Sequence, residues 1–283
     1  MKARPERILP SAASSFHWKR RRDPRFPFQW HFHPEAELTW IVRSRGRRFV
    51  GDHIEDYGDG DLVLLGPGLP HTWCSDDGPP GRHEAVCIQF RDDFLGREFL
   101  ERPELLPVRR LLERAARGLR FGGRTVREVA PRMDGLERRS GLARLQGLLD
   151  ILGRLAAARD GRPLASPGWK APPGDRDMDR LDRVCRFLAE RFREDVALAD
   201  AAAQAHLSAP AFCRFFKAGT GKTFVEYLTE LRVGHACRLL AETDRPVTDV
   251  AFDAGFRNLS NFNRRFRALR GGTPRAYRAH FRG

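Results

Sequence analysis

The chain is short of several residue types, and each shortage excludes a class of protein. It has five cysteines among 283 residues, Cys74, Cys87, Cys185, Cys213 and Cys237. The count is odd, the positions are scattered and no C-x-x-C occurs, so neither a disulfide framework nor a cysteine zinc site is expected. No run of about 18 apolar residues exists, which argues against a transmembrane helix and a membrane partner. The N-terminal MKARPERILP lacks an apolar signal-peptide core, so a cytoplasmic location is expected. H-E-x-x-H and G-x-S-x-G are both absent. Gly219-Thr220-Gly221-Lys222-Thr223 imitates the end of a phosphate-binding loop, but Phe216 stands where that pattern requires Gly. Lysine is scarce too. Of 51 cations only Lys2, Lys19, Lys170, Lys217 and Lys222 are Lys, and the rest are Arg.

What is present fits a globular protein: 41% hydrophobic and 31% charged residues, with a length that suggests two domains at about 100–200 residues each. The formal charge of +14 points to a polyanionic partner. Arg, Ala, Gly and Pro richness also follows from a GC-rich genome, so the distribution of charge says more than its total. Residues 245–283 hold nine Arg against Asp249 and Asp253, half of the net charge in the last 39 residues.

Residues 1–28 read as a basic, Pro-containing arm. Between 29 and about 100, short β-rich runs (Leu38–Val42, Arg48–Val50, Leu62–Leu65, Ala85–Ile88) alternate with turn formers such as Gly58-Asp59-Gly60-Asp61, Gly66-Pro67-Gly68 and Gly78-Pro79-Pro80. This spacing suggests an all-β barrel or sandwich. From 101 to 158 the period becomes helical. Leu142, Leu145, Leu149, Leu152 and Ala156 step by 3 and 4, and Leu148, Ile151 and Leu155 widen that face. So broad a stripe must be buried on the chain's own barrel, on a partner copy, or on both. Residues 159–177 hold four Pro and three Gly and read as a linker.

After the linker everything is helical in pattern. Leu198, Ala201, Ala202 and Ala205 form a short small-residue helix. Ser208 is a cap candidate, Pro210 lies in the next helical turn, and Phe212, Phe215 and Phe216 follow. A short helix, a tight turn and a second capped helix make a helix-turn-helix unit, whose second helix enters the DNA major groove. About 50 residues on, Val247, Val250, Ala251 and Ala254, then Gly255-Phe256, then Phe262 and Phe266 repeat the order. Asn258 or Ser260 can cap that later helix. The two units read as an internal duplication, at about 197–218 and 247–270.

Residues 178–283 resemble the DNA-binding domain of the AraC/XylS family of transcription regulators. The likeness rests on Thr220-Gly221, Tyr227-Leu228, Arg232, Ala236 and Leu239-Leu240. It is stronger in Val250-Ala251, Gly255-Phe256, Phe262, Arg264, Phe266, Gly272, Thr273-Pro274, Tyr277 and Arg278. His206 departs from the family, which more often has Gly there; His tolerates positive φ better than most residues. The resemblance implies two reading heads on successive major grooves of an operator, joined by a linker helix near 223–241. Candidate DNA contacts are Ser208, Ala209, Pro210, Ala211 and Arg214 in the first head. In the second they are Arg257, Asn258, Ser260, Asn261, Arg264 and Arg265. Asn pairs with adenine and Arg with guanine, so the second head is expected to read more bases. Arg265, with Arg267 and Arg270, is read as touching phosphate or facing solvent.

Residues 30–71 resemble the two-part signature of a cupin barrel: Trp30-His31-Phe32-His33-Pro34-Glu35-Ala36-Glu37, then Gly60-Asp61-Leu62 running to Pro67-Gly68-Leu69-Pro70-His71. His31, His33, Glu37 and His71 are candidate ligands for a divalent ion such as Zn, Fe, Mn or Ni, although no cofactor is required. The competing reading gives the same four side chains to a polar effector. Trp30 and Trp73 flank them, and aromatic faces near polar groups suit a sugar-like metabolite.

The expected fold class is thus α+β with two domains. An N-terminal cupin-like β-barrel carries dimerisation helices, and a C-terminal all-α domain carries two helix-turn-helix subdomains. The expected function is an effector-responsive, DNA-binding transcriptional regulator. It would be a homodimer and an activator working through RNA polymerase. The alternative is a metal-dependent cupin enzyme, an isomerase or dioxygenase, with a DNA-binding appendage.

Overall fold

A computed structural model describes residues 14–76, 81–96, 98–169 and 175–282. The first 13 residues of the expected arm, the Gly78-Pro79-Pro80 turn and residues 170–174 of the expected linker lie outside these. The chain forms two compact units, residues 1–171 and 172–283.

Among the described residues the first unit holds nine strands: β1 (His17–Asp23), β2 (Ala36–Arg43), β3 (Gly46–Val50), β4 (His53–Tyr57), β5 (Leu62–Leu65), β6 (His71–Ser75), β7 (His83–Phe90), β8 (Leu119–Phe121) and β9 (Arg162–Pro163). Its helices are α1 (Leu106–Ala115), α2 (Gly123–Gly135) and α3 (Gly141–Ala157). The strands pair as a six-stranded sheet in the order β1-β7-β2-β5-β8-β9 and a three-stranded sheet in the order β4-β3-β6. Among the described residues, hydrogen bonding therefore gives two open sheets rather than a closed ring.

Strand β2 shows how this unit is organised. Its side chains alternate between faces. Leu38 points to one side, where Leu62, Leu64, Val86 and Ile88 meet Leu111 of α1, Met133 of α2 and Leu148, Ile151, Leu152 and Leu155 of α3. Ile41 points to the other side, where Val63 and Leu65 meet Val50, Tyr57 and Trp73 of the smaller sheet. Glu37 and Thr39 share that second parity, so two polar residues enter the space between the sheets. The broad apolar stripe of α3 is divided. Its Leu148–Leu155 face lies in the chain's own core, whereas Leu142 is 69% exposed.

Three segments differ from the sequence expectation. The expected arm contains β1, an edge strand with Lys19, Arg20, Arg21 and Arg22 in its middle. Arg20 lies between Glu84 and Asp134, 2.5 Å from each, so a run of cations is compatible with a strand here; edge strands commonly carry charge. The expected helical stretch contains β8. The expected linker contains β9, and its Leu164 and Ala165 are buried. Pro163 forbids a helix but is tolerated in a strand at the end of a sheet.

Among its described residues the second unit is all helical: α4 (Asp175–Arg191), α5 (Leu198–Ala205), α6 (Ala209–Thr220), α7 (Phe224–Glu242), α8 (Val247–Asp253), α9 (Leu259–Arg270) and α10 (Pro274–Arg282). The duplication is close. Shifting α6 by 50 residues gives the bounds of α9, and the left-handed caps Gly221 and Gly271 (φ 70° and 72°) superpose in sequence. Phe212, Phe216 and Tyr227 recur as Phe262, Phe266 and Tyr277. Successive rings in each set are 5.2–5.5 Å apart. Helices α6 and α9 thus each bury one aromatic stripe; the outer face of α9 is mostly polar, whereas that of α6 also carries Pro210, Cys213 and Ala218.

Candidate nucleic-acid interface and sensor site

In the first head, α5 ends at His206, whose φ is +55°, the left-handed conformation expected at this turn. Ser208 sits at the cap of α6 without a side-chain capping bond, and Pro210 occupies the first turn. Ser208, Pro210 and Arg214 are exposed, and Ala209 and Ala211 half-buried. Among the candidate contacts of this head, only Ser208 and Arg214 carry side-chain donors.

The second head is richer in polar groups, and several already have partners. Asn258 Oδ1 accepts from the Asn261 backbone N–H (2.8 Å), so Asn258, not Ser260, caps α9. Arg264 Nη2 donates to Asn261 Oδ1 (3.0 Å). Arg257 is ion-paired with Asp195. Ser260 and Arg264 are exposed on the first turns of α9, and Arg265 is half-buried. The α8–α9 turn needs glycine. Gly255 has φ +85°, and a Cβ there would meet Arg193 O at 2.8 Å and Phe192 O at 2.9 Å.

In the first unit the four expected ligands converge. His31, His33, Glu37 and His71 each present one ligand atom, all within 4.8 Å of one another. The converging groups come from β2 in the large sheet, β6 in the small sheet and the segment before β2, which is tied to β6 by the His31–His71 bridge. Each imidazole has its Nδ1 against a carbonyl: His31 on Gln29 O (2.8 Å), His33 on Glu35 O (3.0 Å) and His71 on Leu69 O (2.8 Å). A carbonyl only accepts, so each Nδ1 carries the proton and each Nε2 of a neutral ring offers a lone pair.

The neighbours of Glu37 complete the arrangement. Gln89 Nε2 donates to its Oε2 (2.7 Å) and Thr39 Oγ1 to its Oε1 (2.5 Å). The register explains both, since β7 places Gln89 opposite Glu37 and Thr39 follows two residues along the same face. His33 Nε2 and Glu37 Oε2 lie 3.0 Å apart, a hydrogen bond that the imidazole donates when it carries a proton on both nitrogens. His71 Nε2 is buried without a hydrogen-bond partner, 3.7 Å from Glu37 Oε1. Burial, reinforced by His31, pushes the His71 imidazole down to about 3 against the opposing pull of Glu37. Burial alone would raise the Glu37 carboxyl, but its hydrogen bond to His33 and the neighbouring imidazoles hold it well below the usual range. A carboxylate and an unpartnered imidazole nitrogen facing one another form a donor set for a cation.

Trp30 and Trp73, expected as stacking platforms, are both buried. Trp30 stands edge-on to Phe49, and Trp73 Nε1 donates to Asp61 Oδ2 (3.2 Å). Gln89, Thr39 and Asp195 were not legible as site residues, because their partners are set by strand register or by helix packing far along the chain.

Residues 201–280 match the family model described as a helix-turn-helix domain. The chain is 27% identical over 282 residues to the MmsAB operon regulatory protein of Pseudomonas aeruginosa, covering 94% of this chain and 81% of that protein. It is 33% identical over 98 residues to the melibiose operon regulatory protein of Escherichia coli K12, which is 35% of this chain and 32% of that protein. A solved structure of the DNA-binding domain of AdpA, a global transcriptional factor, in complex with a target DNA is 35% identical. It covers 36% of this chain and 93% of its own, with a TM-score of 0.35.

Proposed function

We propose that the chain is a DNA-binding transcriptional regulator of the AraC/XylS type, as its helix-turn-helix match and its regulator relatives support, and an effector-responsive activator whose sensing site is the His31/His33/Glu37/His71 cluster. The relatives it matches are named as regulators, and the enzyme alternative draws no support from them. In this reading α6 and α9 enter successive major grooves of an operator, a homodimer forms through the Leu142 side of α3, and the bound dimer recruits RNA polymerase in the cytoplasm. No helix among the described residues is long and apolar enough to cross a membrane.

The observation that carries the sensor reading is the buried, unpartnered His71 Nε2 beside an ionised Glu37. Nε2 of the three histidines and the Glu37 carboxylate would hold a divalent ion, and such an ion supplies a Lewis-acid anchor for hydroxyl or carboxylate groups. Gln89 and Thr39 orient the carboxylate, and the three carbonyls orient the rings. Because Trp30 and Trp73 are enclosed, a sugar-like effector would be recognised through its hydroxyls rather than by stacking on exposed aromatics. The similarity to the melibiose regulator covers 35% of this chain and carries no argument about the effector.

Metal analysis of the purified full chain, combined with thermal shift in Zn, Mn, Fe or Ni, tests this site. Ligand that binds the native state raises its stability. We expect near one ion per chain and a metal-dependent stabilisation lost in His71→Ala. Equal melting of both proteins with and without every metal would remove the metal from the account.

A further inference from the structure

We infer that the loop between α4 and α5, residues 192–196, is a clasp that fixes the spacing and aim of the two reading heads. This rests on the reading that α6 and α9 occupy successive major grooves. Helix α7 joins the heads covalently. One rod leaves rotation about its ends undetermined, and the clasp is a second attachment that closes the loop.

Its contacts are specific. Arg193 Nη2 pairs with Asp253 Oδ1 (2.5 Å), and Arg245 Nη1 holds the other oxygen (2.9 Å). Asp195 pairs with Arg257, the residue before the α9 cap. Arg232, on α7, donates to the carbonyls of Phe192 (2.7 Å) and Glu194 (2.8 Å). The missing side chain of Gly255 lets the Phe192 and Arg193 carbonyls reach the α8–α9 turn. The loop leads within two residues into α5, and its contacts end within one residue of the α9 cap. Any movement of the loop therefore re-aims one recognition helix against the other.

Asp195 and Asp253 act as positioning residues. Neither carries a positive charge toward phosphate; Asp195 restrains Arg257 beside the α9 cap, and Asp253 holds Arg193 of the loop and Arg245 before α8. The clasp makes the protein discriminate operators by the number of base pairs between the two half-motifs. A one-pair insertion turns the second groove by about a tenth of a helical turn, which a rigid pair of heads cannot follow.

The test uses the full chain and an operator duplex selected by that chain from a random library. Affinity is measured for this duplex and for duplexes with one base pair inserted or deleted between the half-motifs. For the unaltered protein each change should weaken binding roughly tenfold. In Asp195→Asn/Asp253→Asn the penalty should fall below about threefold. The penalty is a ratio taken on one protein, so the altered net charge cancels. Helicity by circular dichroism verifies folding, and the exposed single variant Asp195→Asn carries the same test if the pair does not fold. A penalty in the variants equal to that of the unaltered protein overturns the clasp and leaves α7 as the sole spacer. A missing penalty in the unaltered protein instead overturns the two-groove reading.

Discussion

The two helix-turn-helix turns place different residues in the same left-handed conformation, His206 at φ +55° and Gly255 at φ +85°. This contrast gives a prediction of opposite sign at equivalent positions. In Gly255→Ala the new Cβ costs about 1–2 kcal/mol from the left-handed backbone alone. It also lies 2.8–2.9 Å from two carbonyl oxygens of the neighbouring loop, which must shift because they are backbone. Together these should cost about 3 kcal/mol, so the second unit should melt more than about 10 °C lower. His206→Gly removes a similar strain of about 1–2 kcal/mol but adds freedom to the unfolded chain worth about 0.5–1 kcal/mol. A net gain below about 1 kcal/mol is expected. Urea unfolding of the full chain, followed by the helical signal, measures both. A Gly255→Ala variant within about 0.5 kcal/mol of the unaltered protein would refute the close approach at that turn. A marked loss in His206→Gly would show that the imidazole, not the backbone, matters at the first.

Three further outcomes follow from particular contacts. Arg264→Ala should weaken binding to the selected operator by about 1–3 kcal/mol while binding to random DNA stays nearly constant; equal losses on both would assign Arg264 to phosphate. Asp61→Ala should destabilise the first unit by about 3–5 kcal/mol, because it leaves Arg48, whose side chain is fully buried, without its enclosed carboxylate; calorimetry showing less than about 1 kcal/mol would make that pair dispensable. Burial raises the Asp253 carboxyl, but Arg193 and Arg245 outweigh it and lower the net value. Its contribution is therefore full above the ordinary carboxylate range and is lost as pH falls through the lowered folded value. Acid unfolding should be less steep in Asp253→Asn below about pH 4, and identical acid limbs would contradict the pairing.

The parts of the molecule legible in the sequence are those with a local signature. The duplicated reader announces itself because Phe212, Phe216 and Tyr227 recur 50 residues later, and each copy must fill a similar small core. The four converging ligands were also readable, since His31, His33 and Glu37 share strand parity and His71 closes a second motif. Strand β1 was not readable. Its central cations match no apolar alternation, and their partners Glu84 and Asp134 lie more than 60 residues away. Asn258 was readable both as a cap and as a base contact, and only the capping bond to Asn261 decides how its oxygen is used. The partition of α3 into a buried Leu148–Leu155 face and an exposed Leu142 depends on where the six-stranded sheet lies. Periodicity gives the width of the stripe but not that division. Asp195 and Asp253 carry no local sign of their partners, because helix packing alone brings Arg257 and Arg193 to them.

The account turns on whether the His/Glu cluster governs DNA binding. The direct measurement is operator affinity of the full chain by fluorescence anisotropy, in chelator and in each divalent metal, with and without a panel of sugars, beside His71→Ala. The account predicts a severalfold change in affinity on loading in the unaltered protein and none in His71→Ala. Identical affinities for both proteins under every condition would contradict it.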